Sequence, residues 1–142
     1  MPEFTVRRAD WRQDHDALAA VRRTVFIDEQ RVPEEMEWDA HDAVSMHWLA
    51  EDAAGRAIGC ARLLPDGHIG RMAVLATWRG RGVGRALLAA VLDWARARGH
   101  TQVALSAQTH AMDFYRRAGF ETVGDVYDEA GIPHIAMQKR LA

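Results

Sequence analysis

The sequence predicts an α/β chain of the α+β type, with a central mixed, mostly antiparallel sheet flanked by helices. Three observations carry this reading. Short apolar segments of strand length recur along the chain, tight turn signals join several of them directly, and stretches with a 3.6-residue apolar period interrupt them. At 142 residues, one domain covering residues 1–142 is expected, long enough to bury most of its chain in a single core.

Phe4 to Arg8 alternates as a short strand that Ala9-Asp10 ends. From Asp14 the apolar positions Leu18, Val21, Val25 and Phe26 recur at helical spacing, with Arg22 and Arg23 turned outward. Pro33 halts the regular helix. Between Asp28 and Asp42 lie seven carboxylates (Asp28, Glu29, Glu34, Glu35, Glu37, Asp39, Asp42) against the single Arg31. Such a segment either attracts a cationic amine or is a solvated acidic loop.

Met46–Glu51 and Ala57–Leu64 read as a hairpin across Asp52-Ala53-Ala54-Gly55. The turn Pro65-Asp66-Gly67 then returns the chain antiparallel through His68–Val74. A long helix from about Gly82 to Gly99 follows. Its stripe is Val83, Leu87, Ala90, Val91 and Trp94; Arg85, Ala89, Asp93 and Arg96 face away; and Gly99 supplies a left-handed stop. Gln102–Ser106 reads as a buried strand, residues 111–119 as a short helix, and Glu121–Tyr127 with Ile135–Arg140 as closing strands across Glu129-Ala130-Gly131. No repeat or low-complexity tract is present.

The chain is organised around the stretch from Ile69 to Arg85. A strand ending in Met72-Ala73-Val74 leads into Arg79-Gly80-Arg81-Gly82-Val83-Gly84-Arg85 at the mouth of the long helix. Glycines let backbone N–H groups approach an anion, and a helix N-terminus adds orphan donors and the positive end of its dipole. Arg79, Arg81 and Arg85 add guanidiniums suited to forking onto phosphate oxygens. A P-loop needs Gly-Lys, and the only lysine is Lys139. A dinucleotide fingerprint needs its third glycine one place later than Gly84, where Arg85 stands.

What remains is Arg79-x-x-Gly82-x-Gly84. It resembles the acetyl-coenzyme A pyrophosphate loop of the GNAT superfamily of N-acetyltransferases, (Gln or Arg)-x-x-Gly-x-(Gly or Ala). A second segment, Ala111-Met-Asp-Phe-Tyr-Arg-Arg-Ala-Gly-Phe120, is similar to that family's helix carrying Phe-Tyr and closing with Gly-Phe. Val25-Phe26-x-x-Glu29-Gln30 and Ile132-Pro133-His134-Ile135 resemble the ElaA-like subgroup, so the likeness spans nearly the whole chain.

The resemblance implies a GNAT-like domain whose strands splay apart between Val74 and Gln102, leaving a cleft for pantetheine. It implies acetyl-coenzyme A (acetyl-CoA) as cosubstrate and no metal. Met72, Ala73 and Val74 would offer backbone groups to pantetheine, with an N–H near Val74 polarising the thioester. Arg79, Gly80, Arg81, Gly82, Val83, Gly84 and Arg85 would hold the pyrophosphate. Phe114 would pack beside the cofactor, and Gln108 would stand in for an asparagine common in the family. Tyr115 would be the general acid for the departing thiolate. Glu29 is the first candidate for the base, ahead of His110 and His134.

The expected activity is transfer of acetyl to a primary amine of a small molecule or peptide, by direct attack in a ternary complex. Transfer of another acyl group and a non-catalytic coenzyme A sensor remain alternatives. A homodimer is expected from the resemblance. Seventeen arginines interspersed among 20 acids, with a net charge of −2, give no nucleic-acid stripe. No zinc-ligand spacing occurs among the seven histidines. Cys60, the only cysteine, forms no internal disulfide and fits a reducing compartment. With no signal-peptide core and no long apolar run, a cytoplasmic protein with no membrane partner is expected.

Overall fold

The computed structural model describes residues 3–141; Met1, Pro2 and Ala142, within the expected domain span, lie outside them. Seven strands form one sheet: β1 (Phe4–Ala9), β2 (Met46–Asp52), β3 (Ala57–Leu63), β4 (His68–Val74), β5 (Gln102–Gln108), β6 (Glu121–Glu129) and β7 (Ile132–Arg140). Their spatial order is β1-β2-β3-β4-β5-β7-β6. Every pairing is antiparallel except β4 with β5. The helices are α1 (His15–Arg22), α2 (Glu34–Glu37), α3 (Val83–Ala97) and α4 (Met112–Arg117).

Both faces of the central strands are covered, and β2 and β3 are buried along most of their length. Trp48, Ala50, Ile58 and Ala61 belong to the core under α3. Leu49, Cys60 and Ala73 belong to the core under α1, with Leu18, Val21 and Val25. On α3 the stripe is wider than expected: Leu88, Leu92 and Ala95 are buried with Val83, Leu87 and Val91. Each large side chain so buried contributes about 1.5–3 kcal/mol relative to exposure.

Two features of the first helical stretch differ from the sequence reading. Beyond α1 the chain widens into a π-helix over Arg23–Glu29, with Gln30 N–H donating to the carbonyl of Val25 at 3.0 Å. Arg22, expected outward, is 1% exposed. Its guanidinium donates to Glu37 (2.7 Å) and Asp42 (2.8 Å) and lies between the rings of Trp11 and Trp38. One turn after Leu18, Arg22 shares the buried face; only partners 15 and 20 residues away make that tolerable for a charge.

The acidic segment is therefore largely neutralised. Arg62 reaches Asp39 and Asp42 at 2.8 and 3.0 Å. Arg71 reaches Glu37 and Asp39 at 3.1 and 3.2 Å. Arg23 pairs with Glu34 and Arg79 with Glu29. Burial pushes Glu37 up despite these partners. Asp42, though desolvated in the same way, is held below the usual carboxylate range by Arg22 and Arg62.

The seam between β4 and β5 positions the site. Only His68↔Ala104 and Ile69↔Leu105 pair across it; beyond Ile69 the strands diverge, as the resemblance implied. The β3–β4 register there gains one residue on β4, since Arg62↔Gly70 is followed by Cys60↔Ala73. Arg71, with φ +48°, sits in this bulge and turns β4 away from its neighbour.

Candidate active site

The opened seam exposes backbone. Leu75 N–H donates to the carbonyl of Ile58 on β3 at 2.9 Å, so strand alternation directs the peptide groups of Met72 and Val74 toward the side that β5 has left. The Val74 carbonyl accepts from Arg79 Nε at 3.0 Å. The Val74 N–H faces the gap as a donor.

A groove of about 720 Å³ continues from this gap over the N-terminus of α3. Gly80 and Gly82 have φ +74° and +87° and nothing within 4 Å of where a Cβ would lie. These left-handed turns favour glycine and lay bare peptide surface facing an open space. Among the described residues no side chain caps α3, leaving the N–H groups of its first turn as donors at the positive end of the dipole. Phe114 on α4 closes the far wall, 3.4 Å from the Cβ position of Gly84.

The three arginines of the loop have different employments. Arg85 is exposed, lines the groove and has no ion-pair partner among the described residues. Arg81 stacks on Trp78 at 4.2 Å and pairs with Glu3 at 3.3 Å; it does not line the groove. Arg79 forks onto Glu29 at 2.6 and 2.7 Å. Arg117, which the sequence reading passed over, also lines the groove from the end of α4. Its place in the Arg116-Arg117 pair of the second motif was the available signal.

A second cavity of about 880 Å³ opens on the other side of the same seam. The two cavities share Met72, Ala73, Val74, Arg79, Ala111 and Tyr115. Tyr115, from α4, therefore stands where they meet. Its hydroxyl has one partner among the described residues, the weakly accepting thioether of Met72 at 3.8 Å. Desolvation pushes the phenol up to about 12, so it keeps its proton at neutral pH.

Gln108 lies in this second cavity and not in the first. It exchanges amide hydrogen bonds with Gln30 at 2.8 and 3.3 Å, because β5 ends on the far side of Tyr115 from the glycine loop. Glu29 lines the second cavity too. Hydrogen bonds from Arg79 hold its carboxyl below the usual range, which makes it a weak proton acceptor. His134 and His110 line the same cavity, His134 buried and His110 exposed. The π-helical turn brings Glu29 and Gln30 into reach of Arg79 and Gln108, a displacement that regular helical spacing does not foretell. Among the described residues no group of three His, Cys, Asp or Glu converges as a metal site. Cys60 is buried, and burial pushes its thiol up to about 12, an unreactive setting.

Fold and site together define a group-transfer domain. Residues 12–141 match the acetyltransferase (GNAT) domain family, and the chain belongs to that family. Within it the chain is ElaA-like. It is 32% identical to protein ElaA of Escherichia coli over 136 residues, 88% of this chain and 86% of ElaA. The ElaA crystal structure superposes with a TM-score of 0.86 at 29% identity, covering 96% and 99% of the two chains. A Pseudomonas aeruginosa structure described as an acyl-CoA N-acyltransferase gives 0.85 at 32% identity, over 96% of this chain and 99% of that one. The Bacillus subtilis protein YjcF, named an uncharacterized N-acetyltransferase, is 35% identical over 123 residues, 84% of this chain and 87% of its own.

Proposed function

We propose that this protein is an acetyl-CoA dependent N-acetyltransferase acting on a primary amine of a small molecule or peptide by direct attack in a ternary complex. The observation that carries the proposal is the meeting of two cavities at Tyr115, one lined by an uncapped helix N-terminus and free arginines, the other by mixed polar and apolar walls. Acetyl-CoA would supply the activated thioester. The loop from Gly80 to Arg85, with Arg117, holds the pyrophosphate through N–H donors and guanidinium charge. Met72 and Val74 hold the pantetheine arm along the opened edge of β4. The Val74 N–H is the donor for charge developing on the thioester oxygen.

Tyr115 is the general acid. Its high value keeps it protonated, and its transfer to a thiolate runs uphill until the proton leaving the attacking nitrogen replaces it. Glu29 acts through Arg79, fixing that guanidinium between the two cavities. The exposed edge strand β6, with Val123 and Val126 outside, supports a homodimer. The buried single thiol supports a cytoplasmic setting, and no helix among the described residues is long and apolar enough to cross a membrane.

The test is thiol release from acetyl-CoA with phenylethylamine, spermidine, glucosamine and the tripeptide Gly-Ala-Ala, alongside the thermal shift with acetyl-CoA, coenzyme A, NAD and ATP. Turnover with an amine and a shift with the coenzyme A pair alone are expected. Binding without turnover on any amine would favour a sensor. Faster transfer from propionyl- or hexanoyl-CoA would move the acyl preference. A shift with NAD or ATP would refute the reading of the glycine loop.

A further inference from the structure

We infer that His134 is the proton acceptor for the amine, with Nε2 as the working atom and Glu129 steadying its charged form. The inference rests on the proposed amine transfer and supplies the base which that reaction needs. An amine arrives largely as ammonium and has no lone pair to attack with until it loses a proton.

The candidates lining the second cavity are few. Glu29 is committed to the fork with Arg79. The Tyr127 hydroxyl is bound to Ser106 Oγ. His68 and His110 are exposed and have no ring hydrogen bond among the described residues to fix them. His134 differs on each count. It is 7% exposed, it lines the cavity, and its ring is stacked on Tyr127 with centroids 6.1 Å apart.

Its orientation follows from one hydrogen bond. Nδ1 lies 2.7 Å from the carbonyl of Ile132, and a carbonyl only accepts, so Nδ1 carries a proton in both charge states. The site that gains and loses a proton is then Nε2. That atom lies 3.5 Å from Glu129 Oε2, within ion-pair distance when the ring carries a second proton. The two-residue turn at Ala130-Gly131, both with positive φ, is what folds Glu129 back over His134.

The groups facing the imidazole are Glu129 and Tyr127 on β6 and, across β5, the uncharged Gln108 in register. Elsewhere the cavity holds Glu37 with Arg62 and Arg71, the Glu29–Arg79 pair, and the exposed His68 and His110. The arginines among them are matched by carboxylates, leaving Glu129 as the nearest charge to Nε2.

The proton balance closes. An ammonium N–H bond breaks and its proton moves to Nε2, leaving a lone pair on nitrogen. That pair forms the C–N bond as the C–S bond breaks. The thiolate takes the Tyr115 proton, and the second N–H proton, shed as the amide forms, restores the phenol. One proton per turnover leaves from His134 to solvent.

The experiment follows kcat/KM against pH for wild type, His134→Gln and Glu129→Gln, using acetyl-CoA and the fastest amine of the panel above. Wild type should rise with pH through one titration. His134→Gln should lower kcat about 100- to 1,000-fold, flatten that limb, leave KM for acetyl-CoA unchanged and be partly rescued by added imidazole. Glu129→Gln should move the limb, because it removes the carboxylate that lies 3.5 Å from Nε2. Nitrogen-15 spectra of the wild-type rings should give a neutral form protonated at Nδ1. This measurement and the Glu129 variant decide the matter if His134→Gln does not fold. An Nε2–H tautomer, or a limb unchanged in the folded variants, overturns the inference while leaving amine transfer intact. Failure of wild type to turn over any amine overturns both.

Discussion

At the scale of single residues, the site divides into groups held free and groups held fast. Tyr115 is free: among the described residues its hydroxyl meets only a thioether. Tyr115→Phe should keep coenzyme A affinity within about twofold and lower kcat about 100-fold, measured by thiol release. Arg85 and Arg117 have no ion-pair partner among the described residues, and each should contribute about 1.5–3 kcal/mol through charge-assisted bonds. Replacing either by Ala should raise Kd for coenzyme A about 10- to 100-fold, with dephosphorylated fragments lacking the pyrophosphate unaffected. Equal weakening of both ligands would refute that contact. The placement of Tyr115, Arg85 and Phe114 along one groove was legible because they sit inside short local motifs. The fork between Glu29 and Arg79, 50 residues apart, and the pairing of Gln108 with Gln30 were not, since nothing local records a partner at that distance.

At the scale of elements, the outcome depends on what holds each one. The glycine loop and α3 are specified locally, by φ requirements, an apolar stripe and the Gly99 stop. Gly82→Ala should cost about 1 kcal/mol of stability from its left-handed φ and about tenfold in coenzyme A affinity by tilting the first-turn donors; calorimetry on one preparation reads both. The stretch from α1 to α2 is specified by distant contacts instead. Leu18, Val21 and Val25 correctly marked a buried face, yet the π-helical widening and the burial of Arg22 depend on Glu37 and Asp42. Arg22→Leu should cost about 3 kcal/mol in a urea titration, because Glu37 and Asp42 lose the buried cation they share and keep only Arg71 and Arg62.

At the scale of the whole molecule, acid should unfold the protein through its buried ion network. Asp39 and Asp42 have depressed values in the folded chain. Their contribution is fully present above the ordinary carboxylate value of 3.8 and is lost as pH falls through the depressed values. Glu37, raised by burial, works in the opposite sense: its contribution is complete below its ordinary 4.5 and is lost as pH rises through its folded value. Urea midpoints should therefore fall steeply from about pH 4 toward pH 2, and Asp42→Asn should shallow that fall while lowering stability at pH 7. The antiparallel majority and the hairpins β2–β3, β3–β4 and β6–β7 could be anticipated from direct turns between strands, whereas the placing of β7 between β5 and β6 could not. The divergence of β4 and β5 could be anticipated only from family likeness, because a seam is a property of two strands and neither one's periodicity encodes it.

That seam has a mechanical consequence. Among the described residues only two residue pairs link the β1–β4 ladder to the β5–β7–β6 ladder, with the Ala104 N–H donating to the carbonyl of Gly67 beside them, so the sheet is two plates on a short hinge over a shared core. Amide exchange should follow two cooperative units of different opening energy, with Met72 and Val74 among the fastest strand amides. A ligand lying along the edge of β4 would take the place of the missing strand. It should slow exchange on both plates at once and make them open as one.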